Sequence, residues 1–214
     1  QINLAVQQQG PLAVKKHEYK IMRELKGAII DLMIAFFTVC KEGHDKSAMS
    51  DPDLQPPVVL RTFMPKLMDE ILIDYKNSPG CARDSKVLSL FATAISTFQS
   101  HLQPEVPRIM ESIFESTLEV ITANMLDHPD HRVRFFKFIQ NANEHCFLGL
   151  FSIPPGHQKM LIDSIVWAVK HTDRTISETG LEILQDLLTN VSGAATTAGE
   201  EGANFAQEFY KSFL

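Results

Sequence analysis

The chain has 214 residues, of which 44% are hydrophobic, 21% charged and 8% aromatic; twenty basic against twenty-six acidic residues leave a formal charge of −6. A chain of this length can bury roughly 70% of its unfolded surface, so a real core is available, and the balance excludes a disordered polymer. The acidic excess also argues against a generic nucleic-acid binder. Three cysteines, Cys40, Cys81 and Cys146, are odd in number and form no CxxC pair. That pattern disfavours a disulfide framework or a structural zinc site and suits a reducing compartment. No apolar run approaches the roughly 18–20 residues of a membrane span, and no signal peptide is visible. The expectation is a soluble intracellular protein without membrane insertion.

Helical periodicity dominates from one end to the other. Between Leu12 and about Cys40, the residues Ile21, Leu25, Ile29, Leu32, Met33 and Phe36 recur every three or four positions and predict one long helix with those side chains inward. The turn-rich stretch Glu42–Pro57 reads as a loop. A second helix is predicted over about Val58–Tyr75, interrupted or restarted at Pro65. A third runs from about Asp84 to Gln99, with Val87, Leu88, Phe91, Ile95 and Phe98 on one face. A fourth spans about Pro104–Asn124, with Val106, Ile109, Met110, Ile113, Phe114 and Ile121 inward. Prolines 104 and 107 fall in its opening turn, where a missing amide hydrogen costs little.

Asp127-His-Pro-Asp130 predicts a turn with a capping aspartate, followed by a fifth helix over about His131–Phe147 carrying Val133, Phe135, Phe136, Ile139, Ala142 and Cys146. Ile153-Pro-Pro-Gly156 punctuates, and a sixth helix covers about Gln158–Lys170. The seventh covers about Ser177–Asn190 with Leu181, Leu184, Leu187 and Leu188. The low-complexity stretch Ser192–Ala203 reads as a loop before an eighth helix bearing Phe205, Phe209 and Phe213 at four-residue spacing. No stretch shows sustained period-two alternation, so the fold class is all-α. The start at Gln1 and the stop on an apolar stripe suggest a piece of a longer chain.

The second and fourth helices open alike. Met64-Pro-Lys-Leu-Met-Asp-Glu-Ile-Leu72 aligns with Val106-Pro-Arg-Ile-Met-Glu-Ser-Ile-Phe114 at an offset of 42 residues. Leu88, Phe135 and Leu181 recur at similar offsets of 47 and 46 residues along the odd-numbered helices. A two-helix period near 40–50 residues is the signature of HEAT- or armadillo-type solenoids, an α-α superhelix in which each hairpin buries its stripe against the next. About four hairpins are expected, over residues 11–76, 83–125, 131–170 and 174–214. An ordinary helical bundle with chance similarity is the alternative.

No residue pattern points to catalysis, a cofactor or a metal, and the chain is not expected to be an enzyme. His128-Pro-Asp-His131 lacks a third ligand. Glu144, His145 and Cys146 are adjacent on a helix and so cannot form a dyad. No GxGxxG, Walker A, GxSxG or HExxH string occurs. The basic residues Lys15, Lys16, Lys20, Arg23 and Lys26 concentrate on the first helix, and Asn190-Val-Ser192 fits a glycosylation sequon that an intracellular chain would not use. Glu111, Glu115 and Glu119 lie four apart along the polar side of the fourth helix. They are either a solvated face or an acidic strip on the inner wall of the solenoid, facing a basic partner.

Four stretches carry a closer resemblance: Ile71-Leu-Ile-Asp-Tyr75, Ile153-Pro-Pro155, Asp163-Ser-Ile-Val-Trp-Ala-Val-Lys-His-Thr172 and Thr179-Gly-Leu-Glu-Ile-Leu184 with Asn190-Val191 after it. From about Met64 to Val191 the chain resembles the exportin-1 family of karyopherin-β nuclear export receptors. The resemblance implies four consecutive HEAT repeats from the C-terminal half of a ring of about twenty, with odd helices outside and even helices inside. Such receptors shuttle between nucleus and cytoplasm. They bind leucine-rich-signal cargo together with Ran-GTP, cross the nuclear pore among nucleoporins, and release both after GTP hydrolysis. The even helices are the implied Ran-facing wall. The export-signal groove and its reactive cysteine lie in earlier repeats, and Cys40, Cys81 and Cys146 match neither. This segment alone is therefore not expected to bind a leucine-rich signal. A HEAT scaffold of another class, a phosphatase or coat subunit, is the runner-up, and a helical enzyme with an unrecognised site a distant third.

Overall fold

Apolar stripes at helical spacing need a neighbour, and the structure supplies one to nearly every stripe by stacking helices in two layers. A computed structural model of the chain describes residues 1–43, 58–124, 127–197 and 199–213. The helices are α1 (Ile2–Gln9), α2 (His17–Gly43), α3 (Val58–Thr62), α4 (Met64–Asn77), α5 (Lys86–Phe98), α6 (Val106–Ala123), α7 (Pro129–His145), α8 (Phe147–Phe151), α9 (Pro155–Val169), α10 (Arg174–Thr197) and α11 (Gly199–Phe213). Short 3-10 turns cover Pro11–Lys15, Gly80–Ala82 and Gln99–Glu105. Among the described residues there is no strand, and the fold is an all-α helical-repeat solenoid.

In the first layer α2 packs on α5, α5 on α7, and α7 on α10. The partners run parallel. Asp31 of α2 pairs with Lys86 at the start of α5, and the Phe37 ring meets Phe98 at its end, 5.4 Å away and edge-on. Arg134 near the start of α7 donates to Ser85 just before α5, and Gln140 of α7 donates to Glu182 of α10. In the second layer α4 packs on α6, and His157 of α9 reaches Glu115 of α6. Aromatic contacts join the layers: Phe114 of α6 lies 5.8 Å from Phe135 of α7, and Phe136 stacks on Trp167 of α9 at 6.1 Å. Phe151 of α8 touches Phe205 and Phe209 of α11.

Three interfaces, α2–α5, α4–α6 and α7–α10, carry a buried hydrogen bond that sets their register. Thr97 Oγ1 donates to the Phe37 carbonyl, Tyr75 Oη lies 2.9 Å from Thr117 Oγ1, and the buried Asn143 amide donates to the Ile183 carbonyl while Asn190 donates back to Asn143. Sliding either helix would leave a buried polar group unpaired, at about 1–3 kcal/mol each. Burial pushes the Tyr75 phenol up to about 12, so it stays protonated. Two arginines close the corners. Arg83 donates to the carbonyls of Tyr75 and Ser116, and Arg132 to those of Ile121, Asn124 and Asp127. Cations there offset the partial negative charge of helix C-termini.

The predicted inward faces of α5 and α6 are buried throughout. The stripe assigned to α2 is not. Ile21, Leu25, Ile29, Leu32 and Phe36 face solvent, Met33 is half-buried, and the core is reached instead by Ile30 and Phe37. Val133 and Leu181 are likewise exposed, whereas Ile183 and Val191 are buried. The loop expected over Ser192–Ala203 is helical over 192–197 and 199–203, and residue 198 lies outside the described residues. Alanine is the strongest helix former and no proline intervenes, so low complexity did not mean a break. No aspartate side chain caps α7. His128 occupies its N-cap in the left-handed region, φ 57°, and Asp130 lies in the first turn. The stretch Glu42–Pro57 lies almost wholly outside the described residues.

Two close approaches yield stability predictions. On α10, a Cβ at Gly180 would meet the Val169 amide nitrogen at 2.8 Å and Ala168 Cβ at 2.9 Å, whereas at Gly193 it would meet nothing within 4 Å. Gly193→Ala should therefore stabilise by up to about 1 kcal/mol, while Gly180→Ala should destabilise by about 1–3 kcal/mol, as chemical denaturation will read. His131, buried at the start of α7, has an Nε2 without a hydrogen-bond partner. Burial, with His128 beside it, lowers its pKa from 6.5 to about 4. Below pH 6.5 the unfolded chain takes up a proton that the folded chain refuses, so this stability is lost as pH falls towards 4 and is flat below it. The drop in melting temperature between pH 7.5 and pH 5 should be smaller in His131→Phe, by the equivalent of about 2 kcal/mol or less.

Candidate partner-binding face

The second layer presents the polar side of α6. Residues spaced four apart on a helix stand one above another, so Glu111, Glu115 and Glu119 form one column, and all three are exposed. Their opposite side is fixed by the buried Ile109, Met110, Ile113 and Phe114. Like charges so arranged disfavour an isolated helix by about 0.2–0.5 kcal/mol per pair. Here each carboxylate meets a basic side chain from a different element. Lys76 of α4 lies 3.6 Å from Glu111, His157 of α9 lies 2.9 Å from Glu115, and Arg83 of the Gly80–Ser85 turn lies 3.0 Å from Glu119. Arg108, one turn earlier, pairs with Asp69 of α4 and with Glu105. The column thus ties α6 to both neighbours in its layer while keeping its carboxylates in water.

The three pairs are not equivalent. Lys76 and Glu111 are both exposed, and such pairs contribute about 0–1 kcal/mol. Arg83 is buried, and two of its other bonds go to backbone carbonyls, so Glu119 completes the coordination of a buried cation. Glu119 is the structural member of the column, whereas Glu111 and Glu115 pair with Lys76 and His157 without a buried arginine to hold. Beside them, Leu118, Thr122, Met160, Ser164 and Trp167 line a shallow depression of about 230 Å³ between α6 and α9, with Asp163 at its edge. The face can attract a basic surface and seat a small apolar contact.

The rings of His128 and His131 stand perpendicular at 5.4 Å, and among the described residues no three His, Cys, Asp or Glu side chains converge as metal ligands. Cys146 is buried, donates to the Gln99 carbonyl, and has its thiol pushed up to about 12 by burial. The Glu144 carboxylate lies 3.8 Å from the His145 ring nitrogen at the end of α7. Trp167 is half-buried between Phe136 and His171. No described helix is long and apolar enough to cross a membrane. Sequence reasoning found the column but missed Lys76, Arg83 and His157, because each reaches it from a different element. The arginines at the approach to α5 and near the start of α7 were the one local signal.

Comparison with known proteins agrees with this architecture. The chain matches the family described as CRM1 C terminal over residues 1–214. It is 34% identical over 205 residues to Protein EXPORTIN 1B of Arabidopsis thaliana, covering 96% of this chain and 17% of that protein. It is 40% identical over 157 residues to Exportin-1 of Dictyostelium discoideum, covering 73% and 14%. Against Exportin-1 of Schizosaccharomyces pombe the identity is 33% over 214 residues, covering 100% and 18%. The chain thus spans less than a fifth of the length of these relatives. The run Asp163–Thr172 has its place in the fold, with Ile165 and Ala168 in the core and Trp167 and His171 packed ring to ring. With the match running from the first residue to the last over a stacked helical array, the chain belongs to the CRM1 C-terminal family, and is similar throughout to the corresponding segment of exportin-1.

Proposed function

We propose that this chain forms part of the wall of a nuclear export receptor and that its α4–α6–α9 face meets GTP-loaded Ran. The observation that carries the reading is the family match over residues 1–214, joined to an exposed carboxylate column on the second helical layer. In this reading the second layer is the inner wall of the receptor, and the hairpins follow the limits 11–76, 83–125, 131–170 and 174–214. The complete receptor carries leucine-rich-signal cargo, whose groove lies outside this chain, and passes nucleoporins while shuttling between nucleus and cytoplasm. The segment contributes surface rather than chemistry. Glu111 and Glu115 steer a basic patch of Ran onto the wall, and Glu119 holds Arg83 so that the wall keeps its shape. Long-range attraction of this kind raises association rates and fades with salt.

The test uses the full-length receptor with GTP-loaded Ran and a signal-bearing cargo. Glu111→Lys with Glu115→Lys should weaken assembly roughly tenfold at low salt, with the gap narrowing as salt rises. Glu119 is left intact, because a lysine there would face the buried Arg83. Equal affinity at every salt concentration would show that the column is only solvated. Failure of the unaltered receptor to assemble with Ran and cargo would remove the export reading itself.

A further inference from the structure

The seam between α6 and α9 is bridged at one end and open at the other. His157 of α9 lies 2.9 Å from Glu115 of α6. Further along, Leu118 and Thr122 of α6 face Met160, Ser164 and Trp167 of α9 across the depression of about 230 Å³. Those α9 residues follow His157 at steps of three and four, so they stand on one side of their helix. Leu118 and Thr122 follow Glu115 and Glu119 by three residues each, which sets the depression directly beside the glutamate column. Trp167 is a fixed wall, because Phe136 stacks on it with 21° between the ring planes. The hydroxyls of the lining turn back on their own helices: Thr122 Oγ1 donates to the Leu118 carbonyl, and Ser164 Oγ to that of Leu161. Asp163 at the rim pairs with Lys159, 3.5 Å away, and both side chains are exposed. A pair of that kind exchanges readily for a better one.

We infer that this depression is the seat of one arginine side chain from the basic surface that meets the column, an inference that deepens the Ran reading and rests on it. Small-molecule sites run to roughly 300–1,000 Å³, so the smaller volume here suits a single side chain rather than a free ligand. Floor and rim favour different chemistry. Leu118, Met160 and Trp167 favour an apolar stem, while Asp163, with Glu115 and Glu119 nearby, favours a cation and repels an acid. An arginine carries both, its methylenes covering the floor while its head reaches the rim. The guanidinium stacks on an indole and offers two N–H donors in one plane to a carboxylate, which the point charge of a lysine does not. As it enters, Lys159 releases Asp163 and returns to water. Glu111 and Glu115 govern the approach, and the depression supplies the fixed point about which the partner is oriented. A leucine or phenylalanine in the same place would leave Asp163 facing an apolar group, with nothing gained from the carboxylate.

Affinity measurements on the full-length receptor with GTP-loaded Ran and a signal-bearing cargo test this. Asp163→Asn should weaken assembly roughly tenfold, and the loss should persist at high salt, because a contact pair on an apolar floor is screened less than attraction at a distance. The melting temperature of the free receptor should not move, since the Lys159 pair is exposed. A double-mutant cycle then identifies the occupant. With each exposed arginine of Ran changed to lysine in turn, one change should weaken assembly with the unaltered receptor and cost little further with the Asp163→Asn receptor. Full affinity of Asp163→Asn, where Glu111→Lys with Glu115→Lys still weakens assembly, would overturn the inference and leave the Ran-facing wall standing. So would a loss that fades with salt as the column's does, or a cycle in which no arginine couples to Asp163. Weakening by Met160→Ala but not by Asp163→Asn would also overturn it, and would mark an apolar occupant. If neither the Asp163 variant nor the paired glutamate variant changes affinity, the Ran-facing wall fails and the arginine seat with it.

Discussion

The structure depends on one constraint: a helical hairpin with an apolar stripe on each side cannot exclude water by itself. α5 is apolar around most of its surface, with Val87, Leu88, Leu90, Phe91, Ala94, Ile95 and Phe98 all buried, and it needs α2 on one side and α7 on the other. Each buried side chain of that size contributes roughly 1.5–3 kcal/mol, which no hairpin in this chain can realise alone. Stacking in one direction satisfies every interior helix and leaves its demand at the ends. The exposed stripe of α2 is that demand, displayed at one end of the array.

Apolar burial fixes the contacts but not the register, since one row of leucines packs about as well as the next. Thr97 on Phe37, Tyr75 with Thr117, and Asn143 with Asn190 supply the missing specificity. Ion pairs then act where the layers meet water. Glu111 and Glu115 bridge α6 to α4 and α9, so a partner that competes for those carboxylates acts on the same bonds that tie neighbouring helices together. In the proposed reading, recognition and the local spacing of the wall are coupled through these exposed contacts, while Arg83 and Arg132 hold the corners with buried ones.

Periodicity made the helices and the all-α fold legible, and it placed the cores correctly where α5 is covered on nearly all sides and where α6 has one apolar arc opposite its glutamates. It failed on α2 because that helix carries two apolar arcs, one through Ile30 and Phe37 and one through Leu25 and Leu32. Spacing identifies an arc but not the neighbour that covers it. α1 and α8 escaped notice because stretches of eight and five residues are too short for a period to show. The helical continuation past Ser192 was hidden by small residues that look like a linker yet favour helix. The glutamate column was visible as a spacing, and its partners were not, since pairing across elements needs the third dimension.

We propose that the second layer, not the first, is the partner-facing wall of an export receptor. Hydrogen exchange of the full-length receptor, with and without GTP-loaded Ran and cargo, tests this most directly. The account predicts slowed exchange in α4, α6 and α9 on assembly, with α5, α7 and α10 unchanged. Protection confined to α5, α7 and α10, or none anywhere in the 214 residues, would contradict it.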